Sequence, residues 1–269
     1  MRIVDAQIHL WQNDRAPPHH WRAPFHIEDA LRYMDAAGVE RAINCPPNWD
    51  PSSNDYAIEA ARAHPDRFAT LGWFDLKREP DSSFLEEWLG QPGMLGLRFI
   101  FFTPEQQQLF ASGRLDWLWE SADRLGIGVA LGVAPTLLSS LHQLAQRFPR
   151  MRLQIDHLGV GPFSKLPEAF NHLEELLGLA RHPNVAVKAT AVPSMANDGY
   201  PFASTHPYLR RIFEAFGPDR LFWGTDFTRM RCSWEQCITL FTESLNWLGG
   251  NDLDRVMGRA VCDWIGWRT

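Results

Sequence analysis

Two histidines and an aspartate stand at the ends of three apolar runs, and together they could hydrolyse an acyl bond. His9 closes Ile3-Val4-Asp5-Ala6-Gln7-Ile8-His9, and His157 closes Leu153-Gln154-Ile155-Asp156-His157. Asp226 closes Leu221-Phe222-Trp223-Gly224-Thr225-Asp226. A strand buried on both faces reads as apolar almost throughout. Polar groups gathered at the carboxyl ends of such strands mark where parallel α/β sheets build their sites. A carboxylate can take a proton from water and imidazoles can stabilise an oxyanion. The same three groups could hold a zinc ion with a water in the fourth position. Hydrolysis with or without a metal is open at this point.

Two cations accompany them. Arg98 interrupts Leu97-Arg98-Phe99 and Lys188 interrupts Val187-Lys188-Ala189. A buried cation is costly unless paired. Either these residues bind a substrate carboxylate, Arg98 bidentately, or they pair with an internal acid such as Asp5 or Asp156. Arg229 and Arg231, just after Asp226, could add to an anionic pocket. Trp11, Trp49, Trp73 and Phe101 lie at or just past strand ends and could wall a planar ring. Asn44, Asn48, Tyr200 and His206 are further candidates for lining. Asp5 is expected to support the strand, Cys45 to be a buried thiol, and His19 and His20 to be loop residues.

These side chains need a scaffold that gathers strand ends. Eight strand-like runs are present: Ile3–His9, Arg41–Cys45, Phe68–Trp73, Leu95–Phe101, Gly128–Val133, Leu153–His157, Val185–Thr190 and Leu221–Asp226. Segments with apolar residues at three- and four-residue steps separate them. These are Ile27–Ala37, Asn54–Ala63, Ser82–Leu89, Asp116–Leu125, Thr136–Arg147, Leu166–Ala180, Pro207–Phe216 and Trp234–Trp247. The alternation is the βαβ rhythm of a parallel sheet. Proline marks the turns into several strands, as in His64-Pro65-Asp66-Arg67 and His182-Pro183-Asn184, which puts His64 and His182 on the face away from the site. The loops leaving the strands are longer, notably Gln12–Pro24, Pro46–Asn54 and Val192–Thr205, and long loops on one face are the functional ones. The expected fold is one (β/α)8 barrel over residues 1–269, with a helix or two in Asp252–Trp264.

Composition agrees. A chain of 269 residues matches the roughly 250 of a closed α/β barrel. Hydrophobic content of 45% and charged content of 22% are those of a globular chain. A net charge of -6 gives no support for nucleic-acid binding. No apolar run approaches the roughly 18 residues of a membrane helix, and no signal-peptide pattern opens the chain. Cys45, Cys232, Cys237 and Cys262 lack Cys-x-x-Cys spacing, as expected of reduced thiols in a cytoplasmic protein. Nothing in the sequence fixes the oligomeric state.

Asp5-Ala6-Gln7-Ile8-His9-Leu10-Trp11, Ile155-Asp156-His157-Leu158-Gly159 and Trp223-Gly224-Thr225-Asp226-Phe227 together resemble the amidohydrolase superfamily. The resemblance is to the branch of 2-pyrone-4,6-dicarboxylate lactonases and sugar-lactone hydrolases. Gly96-Leu97-Arg98-Phe99 and Val187-Lys188 also match that branch, and the likeness covers nearly the whole chain. It implies a TIM barrel that hydrolyses a small carboxylate-bearing lactone.

The family pattern has His-x-His on the first strand, where this chain has Gln7-Ile8-His9. A neutral amide is a poor zinc ligand beside imidazole but a good hydrogen-bond donor. The expected mechanism therefore has Asp226 as general base, with His9, His157 and Gln7 polarising the carbonyl and no cofactor favoured. A zinc or other divalent ion on His9, His157 and Asp226 is the alternative. Two further readings stay open: a metal-dependent decarboxylase of an aromatic or unsaturated acid, as in sibling branches, and an inactive barrel that binds a small acid. The expected partner is a small anionic substrate, with neither nucleic acid nor membrane.

Overall fold

The computed structural model describes residues 1–78 and 81–268. Its centre is one sheet of eight parallel strands in chain order: β1 Val4–Ile8, β2 Arg41–Asn44, β3 Phe68–Gly72, β4 Met94–Phe101, β5 Gly128–Val133, β6 Arg152–Ile155, β7 Val185–Ala189 and β8 Leu221–Trp223. Helices cover the outside, so the strands are buried and their sequences are apolar for that reason. The sheet closes on itself between β8 and β1. The Asp226 N–H donates to the Gln7 carbonyl at 2.8 Å. The Asp5 carboxyl accepts from the Thr225 N–H at 2.9 Å and from Thr225 Oγ1 at 2.5 Å. Gly224 is required at this seam: a Cβ there would lie 2.7 Å from Thr190 Cγ2 and 2.9 Å from the Ala6 nitrogen.

Most of the predicted elements are present. Ile27–Ala37, Ser82–Leu89 and Asp116–Leu125 match the predicted bounds, and the others begin or end within a few residues of them. Two differ in kind. The run Leu166–Ala180 is broken into Glu168–Phe170, Leu173–Gly178 and Leu179–Arg181, since Pro167 removes a donor at its start and Gly178 is a weak helix former. The helix from Trp234 is regular only to Thr239 and then widens into a π turn over Leu240–Ser244. A single helical turn at Val192–Met195, in a run expected as loop, was not anticipated, and neither was the helix Pro104–Ala111. Its start is a capping box, in which Thr103 accepts the Gln106 N–H. Of the C-terminal pieces Gly250–Asp254, Arg255–Arg259 and Ala260–Ile265, the last packs with small and apolar strand residues such as Ala69, Ala130, Ala186 and Phe222 in a second core cluster, and Val256 and Met257 join the main one. Among the described residues no helix is long and apolar enough to cross a membrane.

Candidate active site

Two strands end earlier than their apolar runs suggest, and the reason is functional geometry. β6 stops at Ile155 and β8 at Trp223. His157, Leu158 and Asp226 have φ of 52°, 57° and 52°. Few residues other than glycine occupy this left-handed region, and those that do cluster at functional sites. The bend at His157 is secured by Thr190, whose Oγ1 accepts the His157 N–H at 3.2 Å. The bend at Asp226 is secured by the seam bond to Gln7. Each bend swings its side chain from the strand end into the barrel mouth.

There the three expected groups meet. His9 Nε2 lies 3.2 Å from Asp226 Oδ1, and His157 Nε2 lies 3.6 Å from Asp226 Oδ2. Arg229 Nη1 donates to Asp226 Oδ2 at 3.0 Å. Asp226 Oδ1 is buried with no aligned hydrogen-bond donor among the described residues. His9 Nδ1 contacts the carbonyl of Cys45. A carbonyl only accepts, so this nitrogen carries the proton.

Beneath them a polar chain crosses the barrel. Lys188 Nζ donates to Gln7 Oε1 at 2.6 Å and lies 2.6 Å from Asp156 Oδ1. Arg98 Nε donates to Asp156 Oδ2 at 2.7 Å. An ammonium has no acceptor, so Gln7 must turn its oxygen to Lys188 and its NH2 to the other side. That NH2 faces His157 Nε2 at 3.4 Å. His157 then carries its proton on Nδ1, which donates to Thr190 Oγ1 at 2.7 Å, and keeps a lone pair on Nε2.

The charge states follow. Burial pushes the Asp226 carboxyl up, but the positive charge of His9 and Arg229 outweighs it, and the group is held well below the usual carboxylate range. Burial opposes Asp156 in the same way, and Lys188 and Arg98 hold it low as well. Burial pushes His157 down to about 3 and His20 down to about 2, so both are neutral imidazoles. Asp226 is thus an ionised base and His157 a neutral acceptor.

A cavity of about 210 Å³ opens above this floor, lined among others by His9, Trp49, Arg98, His157, Asp226 and Arg229. Arg98 has only its Nε engaged by another described side chain, and it lines both this cavity and a neighbouring hollow. Arg98 therefore pairs with an internal acid, one of its two expected readings, and also lines the cavity. Other placements differ from expectation. Lys188 is 0% exposed and reaches the site only through Gln7 and Asp156. Gln7 is itself fully buried behind His157, so it contacts that ring and not the cavity. Arg229 spends both terminal nitrogens on Asp226 and the Pro162 carbonyl. Trp11 is buried beneath His20 and Trp49, with ring centres at 5.5 and 5.7 Å. Arg231 is exposed and stacks on Trp21, outside this cavity.

Asn48 lines the cavity, whereas Asn44 is buried and holds the Leu10 N–H. Trp73 borders a neighbouring hollow, Phe101 is buried, and Tyr200 and His206 lie elsewhere, on Thr239 and the Pro201 carbonyl. Sequence reasoning set aside His19 and His20, yet both line the cavity. His20 Nδ1 meets Thr228 Oγ1 at 2.7 Å, and its ring lies 5.7 Å from that of His9. The run Pro17-Pro18-His19-His20-Trp21 was the available signal, but only the fold shows that this loop returns over the mouth.

The residues were tested as a metal site. His9 suits one, because its Nδ1–H is anchored on a carbonyl as metal-ligating histidines usually are. Asp226 Oδ1 is free to join it. The third ligand is missing: the His157 lone pair is met by the Gln7 amide, and Arg229 already occupies Asp226 Oδ2. Among the described residues no group of three His, Cys, Asp or Glu is arranged to hold a metal ion. Arg98, Lys188 and Arg229 also outnumber Asp156 and Asp226, which disfavours a further cation and favours an anion.

This chain belongs to the amidohydrolase family, whose model matches residues 4–231. Among its relatives is an L-fucono-1,5-lactonase of Burkholderia ambifaria, 26% identical over 96% of this chain and 93% of that protein. A 4-sulfomuconolactone hydrolase of Hydrogenophaga intermedia is 26% identical over 76% of this chain and 65% of its own. A crystal structure of a zinc-bound amidohydrolase from Burkholderia multivorans superposes with a TM-score of 0.81 at 18% identity, covering 99% of both chains. That likeness establishes the shared fold.

Proposed function

We propose that this protein hydrolyses a small lactone bearing a carboxylate, by direct attack of water. The observation that carries the reading is Asp226: an ionised, buried carboxylate, its Oδ1 3.2 Å from His9 Nε2, on the floor of a cavity that also presents His157 and Arg98. The relatives that act on lactones support it.

In this scheme a water donates one hydrogen to Asp226, beside the ring of His157, which Gln7 and Thr190 hold in place. The water oxygen adds to the lactone carbonyl while its proton passes to Asp226. The negative charge that develops on the carbonyl oxygen is met by the Nε2–H of His9 as an imidazolium, its Nδ1–H staying on the Cys45 carbonyl, and preorganised donors at such a position are a major source of rate. The ring C–O bond then breaks, and the proton held at Asp226 passes to the leaving oxygen. The product is an open hydroxy acid. Arg98 binds the substrate's separate carboxylate through its terminal nitrogens. Gln7 and Lys188 position His157 and do not touch substrate. No metal enters the scheme, because the Gln7 amide and Arg229 occupy the positions a metal would need. The metal-dependent decarboxylase is disfavoured on the same ground.

The test is a panel of lactones with and without a carboxylate, alongside aromatic acids. Lactone acids should be opened and aromatic acids left intact. Arg98→Met should lower kcat/KM for the acids and narrow their advantage over neutral lactones. Equal turnover of acid and neutral lactones by the unmodified protein would contradict carboxylate recognition. Release of carbon dioxide from an aromatic acid would contradict lactone hydrolysis.

A further inference from the structure

A second, larger chamber adjoins the catalytic cavity. It measures about 420 Å³ and shares His19, Pro162 and Arg229 with the inner one. Its walls include Trp21, Phe163 and Phe202, and its cationic side chains are Arg229, Lys165 and Arg231, with no carboxylate in the lining. Two of these walls are unusual for a protein surface. Phe163 is 72% exposed and Trp21 is 54% exposed. Large apolar side chains exposed together mark a binding surface. They are also held in place. The Trp21 N–H donates to the Thr228 carbonyl at 2.7 Å, and Arg22 ties the same loop to the carbonyls of Phe227 and Cys232 at 3.3 Å each. Phe163 packs edge-on against His19 at 5.2 Å. The Arg231 guanidinium lies 4.0 Å above the Trp21 ring.

We infer that this outer chamber is a substrate subsite, and that it takes a flat aromatic substituent on the lactone ring ending in a second acidic group. This rests on the proposed lactone hydrolysis for the reaction itself. The aromatic part follows from the exposed Trp21 and Phe163 faces, which lose contact with water when a ring lies between them. The acidic end follows from Arg231 and Lys165, both exposed and with no carboxylate in the lining, whereas Arg229 is already paired with Asp226. The direction follows from His19, Pro162 and Arg229, which line both spaces, so that a substituent on a ring in the inner cavity would leave past them.

Three butyrolactone carboxylates test this: the parent, a phenyl-substituted form and a carboxyphenyl-substituted form. The phenyl form should exceed the parent in kcat/KM by at least about tenfold, the scale of burying a modest apolar group. The carboxyphenyl form should exceed the phenyl form. The double variant Trp21→Ala, Phe163→Ala should erase the aromatic advantage and leave the parent's rate unchanged, while Arg231→Met should erase only the advantage of the second acid. Binding of the matching tetrahydrofuran carboxylates, which lack the ester, is measured by calorimetry on the same variants. If no lactone is opened but these analogues bind in the stated order, hydrolysis fails and the subsite stands. A parent handled as well as its aryl derivatives, in turnover or in binding, overturns the subsite. So does a double variant that slows all three substrates alike.

Discussion

Lys188 and Gln7 are joined by a 2.6 Å bond between ammonium and amide oxygen, and this bond decides which atom of Gln7 faces His157. Lys188 also neutralises Asp156 with Arg98. Breaking a buried ion pair from one side leaves an uncompensated charge and costs about 3–5 kcal/mol. Lys188→Met, which keeps much of the volume, should therefore lower stability on that order in denaturant unfolding. It should also lower kcat by releasing the Gln7 amide. An unchanged unfolding midpoint would contradict the structural part of this account.

Chelation separates the two roles open to His9 and Asp226. Activity should survive exhaustive treatment with a chelator, and the purified protein should carry well under one metal per chain. A full equivalent of zinc whose removal abolishes activity would contradict the metal-free scheme. Gln7→His replaces the amide that meets His157 and restores a second imidazole on β1. It should raise zinc affinity in calorimetry above that of the unmodified protein, and no gain would mean that Gln7 is not what limits metal binding.

The β8–β1 seam should be sensitive to pH. Burial pushes the Asp5 carboxyl up from 3.8 to about 7, so the folded state holds this proton more tightly than the unfolded chain. Its contribution to stability is complete below pH about 4 and is lost as pH rises through about 7. Asp5→Asn keeps the shape and removes the titration, so its Tm should fall less between pH 5 and pH 8 than that of the unmodified protein. Equal falls would contradict the assignment. Gly224→Ala at the same seam should cost about 1–3 kcal/mol, the usual range for overpacking.

The barrel was legible because its eight strands are apolar on both faces and its helices are periodic. The meeting of His9, His157 and Asp226 was legible because residues at the carboxyl ends of parallel strands converge. What lay beyond the sequence was orientation. Nothing in Val187-Lys188-Ala189 says that Lys188 faces Gln7 and Asp156 and not a ligand. The left-handed bends at His157 and Asp226 are set by partners distant in the chain, Thr190 and Gln7. His20 was invisible as a site residue because its place depends on a contact with Thr228, 208 residues away. The helix Pro104–Ala111 was readable after all, from Thr103, Pro104 and Gln106.

The central claim is that Asp226 is the base, and the Asp226→Asn variant tests it most directly. Asparagine keeps the shape at the strand end but cannot take a proton. With folding verified by thermal melting, kcat on a lactone acid should fall by about 10²–10⁴, the range of general-base catalysis. Because the carboxyl is held well below 3.8, the unmodified enzyme should show no loss of activity from this group down to pH about 4. A well-folded Asp226→Asn enzyme that keeps more than about a tenth of the unmodified kcat would contradict the account, since that falls short of even the low end of the range.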